Sequence, residues 1–266
     1  CRQSMERQVR RTLSINYDQL LDLATELGFR LMETGAEIYR VEESVQYILR
    51  AYGVETGEVF AIPNCLIVSL TDTAGHASTR VRRIPAHGTD ISLLESYNEF
   101  CRNIVQSPPP LEEALKRMEA ISARHFVYPF PVMLLAYFVG GGAYSLFFGG
   151  DWTDGICGGL CGVAIGLCLR LLGPLGANSF VRTMAAGAVA ALCALVLVGM
   201  GLGHNPDFIT IGALMILVPG IAFTNAMRDI MAGDLTSGVN KVVEALLIAT
   251  AIALGTGFVL SLAPAV

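Results

Sequence analysis

FVRTMAAGAVAALCALVLVGMGL, residues Phe180–Leu202, is the stretch whose reading decides the fold. After Arg182 it carries no charge, and its length matches the roughly 20 helical residues needed to cross a bilayer core of about 30 Å. Comparable apolar stretches lie on either side, which gives predicted spans at 126–149, 152–172, 180–202, 208–227 and 241–263. Of the eighteen Lys and Arg, fourteen precede the first span, from Arg2 to Arg124; the others are Arg170, Arg182, Arg228 and Lys241. With the N-terminal part in the cytosol, these four all fall at cytosolic span ends and the opposite loops carry none, as the positive-inside rule requires. The expectation is an α-helical integral membrane protein with about five transmembrane helices, its N-terminal domain cytoplasmic and its C-terminus outside.

Composition agrees once the two halves are separated. Hydrophobic residues make up 53% and charged residues 15%, with a mean hydropathy of +0.55. The charges are concentrated before residue 125, which predicts an extension at 1–17, an α+β domain at 18–124 and a transmembrane domain at 125–266. A net charge of −5 argues against a nucleic-acid partner. The first seventeen residues have no apolar core of the kind a signal peptide needs. Cys157, Cys161, Cys168 and Cys193 lie inside apolar stretches, where cysteine acts as a small hydrophobe. The four histidines are scattered and unpaired in sequence, so neither a metal site nor any other cofactor is expected.

In the first half, Asn16 or Asp18 caps a predicted helix running to about Ala51. Its apolar positions Leu20, Leu23, Leu27, Leu31, Ile38, Val41, Val45 and Ile48 recur at helical spacing. Gly28 and Gly35 interrupt the pattern, each readable as a break or a close contact. The polar face carries Glu26, Arg30, Glu33, Glu37, Arg40, Glu42 and Glu43; it reads either as a solvated, salt-bridged surface or as a cluster that meets substrate. Strands are predicted at 58–62, 66–71 and 79–84, the last two as a hairpin, with Arg80, Arg82 and Arg83 as a charged edge. A second amphipathic helix, capped by Thr89 or Asp90, ends at Pro108-Pro109-Pro110, and a short charged helix spans 111–123. Lys116, Arg117 and Arg124 are placed near anionic lipid. No phosphate loop or nucleophile elbow is present, so the chain is not read as an enzyme. The alternative of a membrane-tethered hydrolase would depend on Cys65 with His76 or His87.

In the second half, Gly140-Gly141-Gly142 and Gly158-x3-Gly162-x3-Gly166 allow close helix approach. Pro219-Gly220 in mid-span removes a backbone hydrogen bond, the mark of a broken helix. Beyond it come Asn225, Arg228, Asp229, Asp234, Ser237, Gly238, Asn240, Lys241 and Glu244. Glu244, one turn into the fifth predicted span, pairs with Lys241 or Arg182, or else serves as a proton-coupling group or gate. Arg182 is the candidate cation for a carboxylate.

The run Glu33-Thr-Gly35-Ala36-Glu37-Ile-Tyr-Arg40-Val-Glu42, the later Pro219-Gly220 and the pattern Arg228-Asp229-x4-Asp234-x3-Gly238 together resemble the threonine/serine exporter family of bacterial inner-membrane proteins. The resemblance runs from about Asp18 to Gly257. It implies a secondary exporter of small carboxylate-bearing metabolites, either threonine/serine-type amino acids or succinate-type dicarboxylates. Some members have about ten spans on one chain, whereas five spans resemble the larger subunit of the split form. That form implies a smaller integral-membrane partner and an oligomeric assembly in the bilayer. Substrate or coupling candidates are then Arg182, Pro219, Gly220, Asn225, Arg228, Asp229, Asp234 and Glu244, with Glu33, Glu37 and Arg40 as candidates in the first domain. A regulatory or scaffolding subunit, whose partner carries the transport, is the competing reading.

Overall fold

The computed structural model describes residues 16–85, 88–123 and 128–262. The expected N-terminal extension up to residue 15, His87, Arg124, His125 and the extreme C-terminus lie outside the described residues. The chain forms two compact units. One contains the N-terminal residues together with 224–241; the other contains 128–223 and 242–262. The first unit therefore recruits a segment that the sequence reading had assigned wholly to the transmembrane domain.

Helix α1, Tyr17–Glu33, starts where the Asn16 side chain accepts the N–H groups of Asp18 and Gln19. The single helix expected as far as Ala51 is in fact two, because α2 begins afresh at Ile38 and runs to Ala51. Gly35 makes the break: its φ is 94°, and a Cβ there would sit 2.6 Å from the Gly88 carbonyl oxygen. Gly28 makes the close contact instead, with α1 pressed against Leu66 and Val45. The eight apolar positions that predicted the helix are all at most 2% exposed, so the periodicity survives the break.

Strands β1 (Glu58–Ile62), β2 (Cys65–Thr71) and β3 (Ala77–Arg83) form an antiparallel sheet in the order β1-β2-β3. Both connections are hairpins, the first turning at Pro63-Asn64. On β2, Leu66, Val68 and Leu70 are buried in the core with α1 and α2. Their β3 partners Arg82 and Arg80 share that face. These arginines are not merely a charged edge. Arg80 pairs with Asp22 at 3.0 Å, while Arg82 pairs with Glu26 and lies 4.2 Å over the Phe29 ring. Cys65 begins β2 and His76 lies in the turn beyond its other end, which separates them by roughly 20 Å of strand. Cys65 and His76 therefore form no nucleophile–base pair, and His87, the other base considered, lies outside the described residues. Helices α3 (Ile91–Gln106, capped by Asp90) and α4 (Leu111–Ala123) complete the unit.

The second unit begins with α5 (Phe130–Phe147), α6 (Trp152–Leu172) and α7 (Ser179–Gly199). Helix α8 (Pro206–Leu214) follows, then α9 (Gly220–Met231) and α10 (Leu235–Leu262), the last two divided between the units. Among the described residues four helices, α5, α6, α7 and α10, are long and apolar enough to cross a membrane. The expected span at 208–227 is instead α8 and α9, interrupted at 215–219. Pro219 has no N–H to continue the ladder from α8, but its carbonyl accepts the Phe223 N–H and opens α9. Helices α5 and α6 pack backbone to backbone: a Cβ on Gly162 would collide with the Tyr137 carbonyl, and one on Gly141 with that of Gly158.

Gly35→Ala places a side chain at positive φ against a backbone carbonyl, and is expected to cost on the order of 2 kcal/mol. A lowered melting temperature of the purified chain, larger than that produced by Gly75→Ala in the open β2–β3 turn, checks this.

Candidate functional site

The junction between α1 and α2 receives the segment 224–241. Asp229, fully buried, accepts the Ile38 N–H through Oδ1 at 3.2 Å and the Lys241 ammonium through Oδ2 at 2.7 Å. Ile38 is the first residue of α2, so the carboxylate sits at the positive end of that helix dipole. Beside it, Arg228 donates to Glu37 at 3.0 Å, and Arg40 reaches the other Glu37 oxygen at 3.5 Å. Asn225 Nδ2 donates to the Gly35 carbonyl at 3.4 Å. The positions before α2 thus supply a carbonyl, a carboxylate and a free N–H, and the segment meets each with a complementary group. The Arg228 side chain is 56% exposed, so its pair contributes less than the buried Asp229–Lys241 pair.

Titration differs across the cluster. Burial alone would push the Glu37 carboxyl up, but a hydrogen bond from its own backbone and the Arg228 and Arg40 guanidinium groups hold it below its ordinary 4.5. Asp234 is raised above 3.8, first by burial and then by the Asp229 charge, with Lys241 opposing. Glu42, whose Oε1 accepts the Ala61 N–H at 2.8 Å, is also raised, by burial and by the Asp234 charge.

The two groups of candidates that the sequence treated separately are therefore joined. Glu37 and Arg40 meet Asn225, Arg228 and Asp229, with Asp234 alongside. Glu33 stands apart, paired with Arg30 on α1 at 3.0 Å. Arg182, Pro219, Gly220 and Glu244 belong to the second unit. Arg182 donates to the Leu169 carbonyl at 3.4 Å, near the C-terminus of α6, while its Nε is buried with no partner among the described residues. Glu244 lies in the third turn of α10, not the first, because the helix starts at Leu235. It is exposed and, among the described residues, pairs with neither Lys241 nor Arg182; Asp229 has taken Lys241.

The sequence reading offered Lys241 only as a partner for Glu244, and did not count Glu42 or Ser237 among the site residues. Lys241 was findable as a cation at the border of an apolar run. Ser237, buried with no hydrogen-bond partner for its hydroxyl among the described residues, left no signal in sequence.

Histidine pairing also differs from expectation. His204 Nδ1 lies 2.5 Å from Asp151 Oδ2, and its N–H donates to buried Asp154 at 2.7 Å. Asp154 also accepts the Asn205 and Asp151 N–H groups. Asp151, the N-cap of α6, is held well below the usual carboxylate range, first by the Thr153 hydroxyl, then by the Asp154 N–H and His204. Potential ligand atoms of Asp151, Asp154 and His204 lie within 4.8 Å of one another. The existing hydrogen bonds account for all three as a cap that ties two loops together.

The threonine/serine exporter family model matches residues 22–263. The chain belongs to the threonine/serine exporter family. It is 24% identical over 90% of its length to the threonine/serine exporter of Corynebacterium glutamicum, and 22% identical over 89% to a protein of Mycobacterium tuberculosis named "Probable threonine/serine exporter". It also shares 26% identity, over 78% of its length, with pheromone-regulated membrane protein 10 of Yarrowia lipolytica. The chain spans 50% and 45% of the two bacterial relatives and 18% of the yeast one. No solved structure matches it. With several apolar helices and membership of a transporter family, it is a multi-pass membrane protein.

Lys241→Ala strands the buried Asp229 carboxylate and is expected to cost about 3 kcal/mol, whereas Lys241→Met combined with Asp229→Asn recovers most of that loss. The melting temperatures of the two variants check the order. For Asp234, the unfolded chain loses its proton near 3.8 and the folded chain at higher pH, so stability falls as pH rises through that window and stays low above it. Asp234→Asn is therefore expected to raise the melting temperature at about pH 7 and leave it unchanged near about pH 3. Glu37 has the opposite sign: its contribution is complete above 4.5 and is lost as pH falls through its lower folded value.

Proposed function

We propose that this chain is a subunit of a secondary exporter of small carboxylate-bearing metabolites. Its N-terminal domain faces the cytosol of a bacterial inner membrane, and its substrate is of the threonine/serine type, with succinate-type dicarboxylates as the alternative class. The observation that carries the reading is the docking of residues 224–241 on the α1–α2 junction through Asp229, Lys241 and the Arg228–Glu37 pair. These residues belong to α9 and α10, which also run into the second unit, so the ion pairs act on helices continuous with it. A segment held by separable charges is suited to alternate between docked and released states as substrate passes. Pro219-Gly220, at the start of α9, supplies the break at which such movement is absorbed, and Arg182 and Glu244 are the charged groups of the second unit that a carboxylate and its counter-charge would meet.

A partner is part of the proposal. It is a smaller integral-membrane subunit, as the resemblance to the split form of the family implies. Scaffolding without transport is the second reading. Efflux of labelled threonine, serine and succinate from cells that express this chain with and without the candidate small subunit separates the two. The expected result is gradient-dependent efflux of one substrate that requires both chains and falls at least tenfold with Asp229→Asn. Undiminished efflux from the partner alone overturns the exporter-subunit reading in favour of scaffolding.

A further inference from the structure

Asp229 is anchored on α9, and each of its two oxygens already has one donor: the Ile38 N–H and the Lys241 ammonium. Ser237 lies one turn before Lys241 on the same face of α10, followed one turn on by buried Ala245. Its side chain is 0% exposed and, among the described residues, its hydroxyl has no partner. A carboxylate offers about four acceptor positions, and a buried hydroxyl without a partner is costly. One face of α10 thus carries two donors a turn apart, Lys241, which Asp229 engages, and Ser237, which it does not. A carboxylate not tied to α9 would be free to meet both, together with the Ile38 N–H.

We propose that Asp229 occupies a carboxylate-binding site formed by the Ile38 N–H, the Lys241 ammonium and the Ser237 hydroxyl, and that the carboxylate of an exported amino acid displaces it. The inference rests on the exporter reading and makes Asp229 a resident mimic of the substrate. Displacement frees α9 from α2 at the moment substrate is bound, which couples occupancy to release of the segment. The neighbouring groups narrow the substrate class. Glu37 flanks the site, the Asp229 charge is felt by Asp234, and the Asp234 charge by Glu42. With Arg228 and Arg40 already engaged by Glu37, this acidic surround favours a carboxylate that brings its own ammonium group, an α-amino acid, over a dicarboxylate.

The test uses the purified full chain. Asp229→Ala empties the position while leaving its three donors, so acetate is expected to raise the melting temperature of this variant by roughly 3 °C or more, with chloride at equal ionic strength inert and wild type insensitive to both. Equal effects of acetate and chloride on the variant, or none from either, overturn the site. Amide hydrogen exchange on the wild type provides the second arm and stands whether or not Asp229→Ala folds. L-threonine is expected to accelerate exchange across 224–241 several-fold while the Ile38 amide stays protected, and succinate at the same concentration to do less. Threonine with no effect on exchange in 224–241, or Ile38 deprotected together with the segment, overturns the displacement. Efflux from cells carrying the wild-type chain and its partner reads the exporter proposal separately, so a transporting chain whose exchange ignores threonine sinks only this inference.

Discussion

A carboxylate with no exposed surface must find compensation inside the protein, and for Asp229 that compensation comes from two directions at once. One partner is the first backbone amide of α2, the other a lysine twelve residues further along the chain. Because the two partners lie on separate elements, the charge cannot be satisfied unless residues 224–241 are seated against the α1–α2 junction. Neighbouring contacts are individually modest. Arg228–Glu37 is half in solvent, and the Asn225 amide reaches only a single carbonyl. They give the seating its register, while the buried pair makes it obligatory.

The receptor for that charge exists because a helix is broken. Were α1 and α2 continuous, the Ile38 N–H would bond the carbonyl four residues back and have nothing left to offer. Gly35, with a φ that L side chains avoid, turns the chain and exposes the new N-terminus, and Glu37 sits at the capping position without capping through its own side chain. One missing side chain thereby creates a positive site some two hundred positions from the acid that fills it.

Much of this was legible in the residues. The eight positions picked out by apolar periodicity are all buried, though Leu21, Ala24, Met32 and Leu49 join them in the core; the caps at Asn16 and Asp90 were visible, and Pro219-Gly220 marked the interruption. Periodicity could not tell one helix from two, because the turn at Gly35 preserves the buried stripe across the break. Hydropathy alone ran through 208–227 as one stretch, and Pro219-Gly220 told where it divides into α8 and α9. Glu33 and Glu37 looked equivalent on the sequence, yet only Glu37 lies past the break, where Arg228 reaches it; Glu33 remains on α1 with Arg30. Partners so distant in sequence are set by tertiary packing, which local patterns do not encode. Nothing in the sequence separated Lys241 from the other border cations, although it is the one that meets Asp229.

Helix α10 runs unbroken from Leu235 to Leu262, 28 residues or about 42 Å at 1.5 Å each. The hydrocarbon of a typical bilayer is about 30 Å deep, so roughly eight residues of the helix exceed it. That excess is close to the stretch from Leu235 to Lys241, which belongs to the first unit. A bilayer laid over Val242–Leu262 would leave Leu235–Lys241 outside the hydrocarbon, so membrane depth and ion pairing would divide the helix at the same place. A thicker bilayer would draw Lys241 toward hydrocarbon and away from Asp229, and a thinner one would relax that pull. Lipid chain length thus becomes a physical variable acting on the same buried pair that seats the segment.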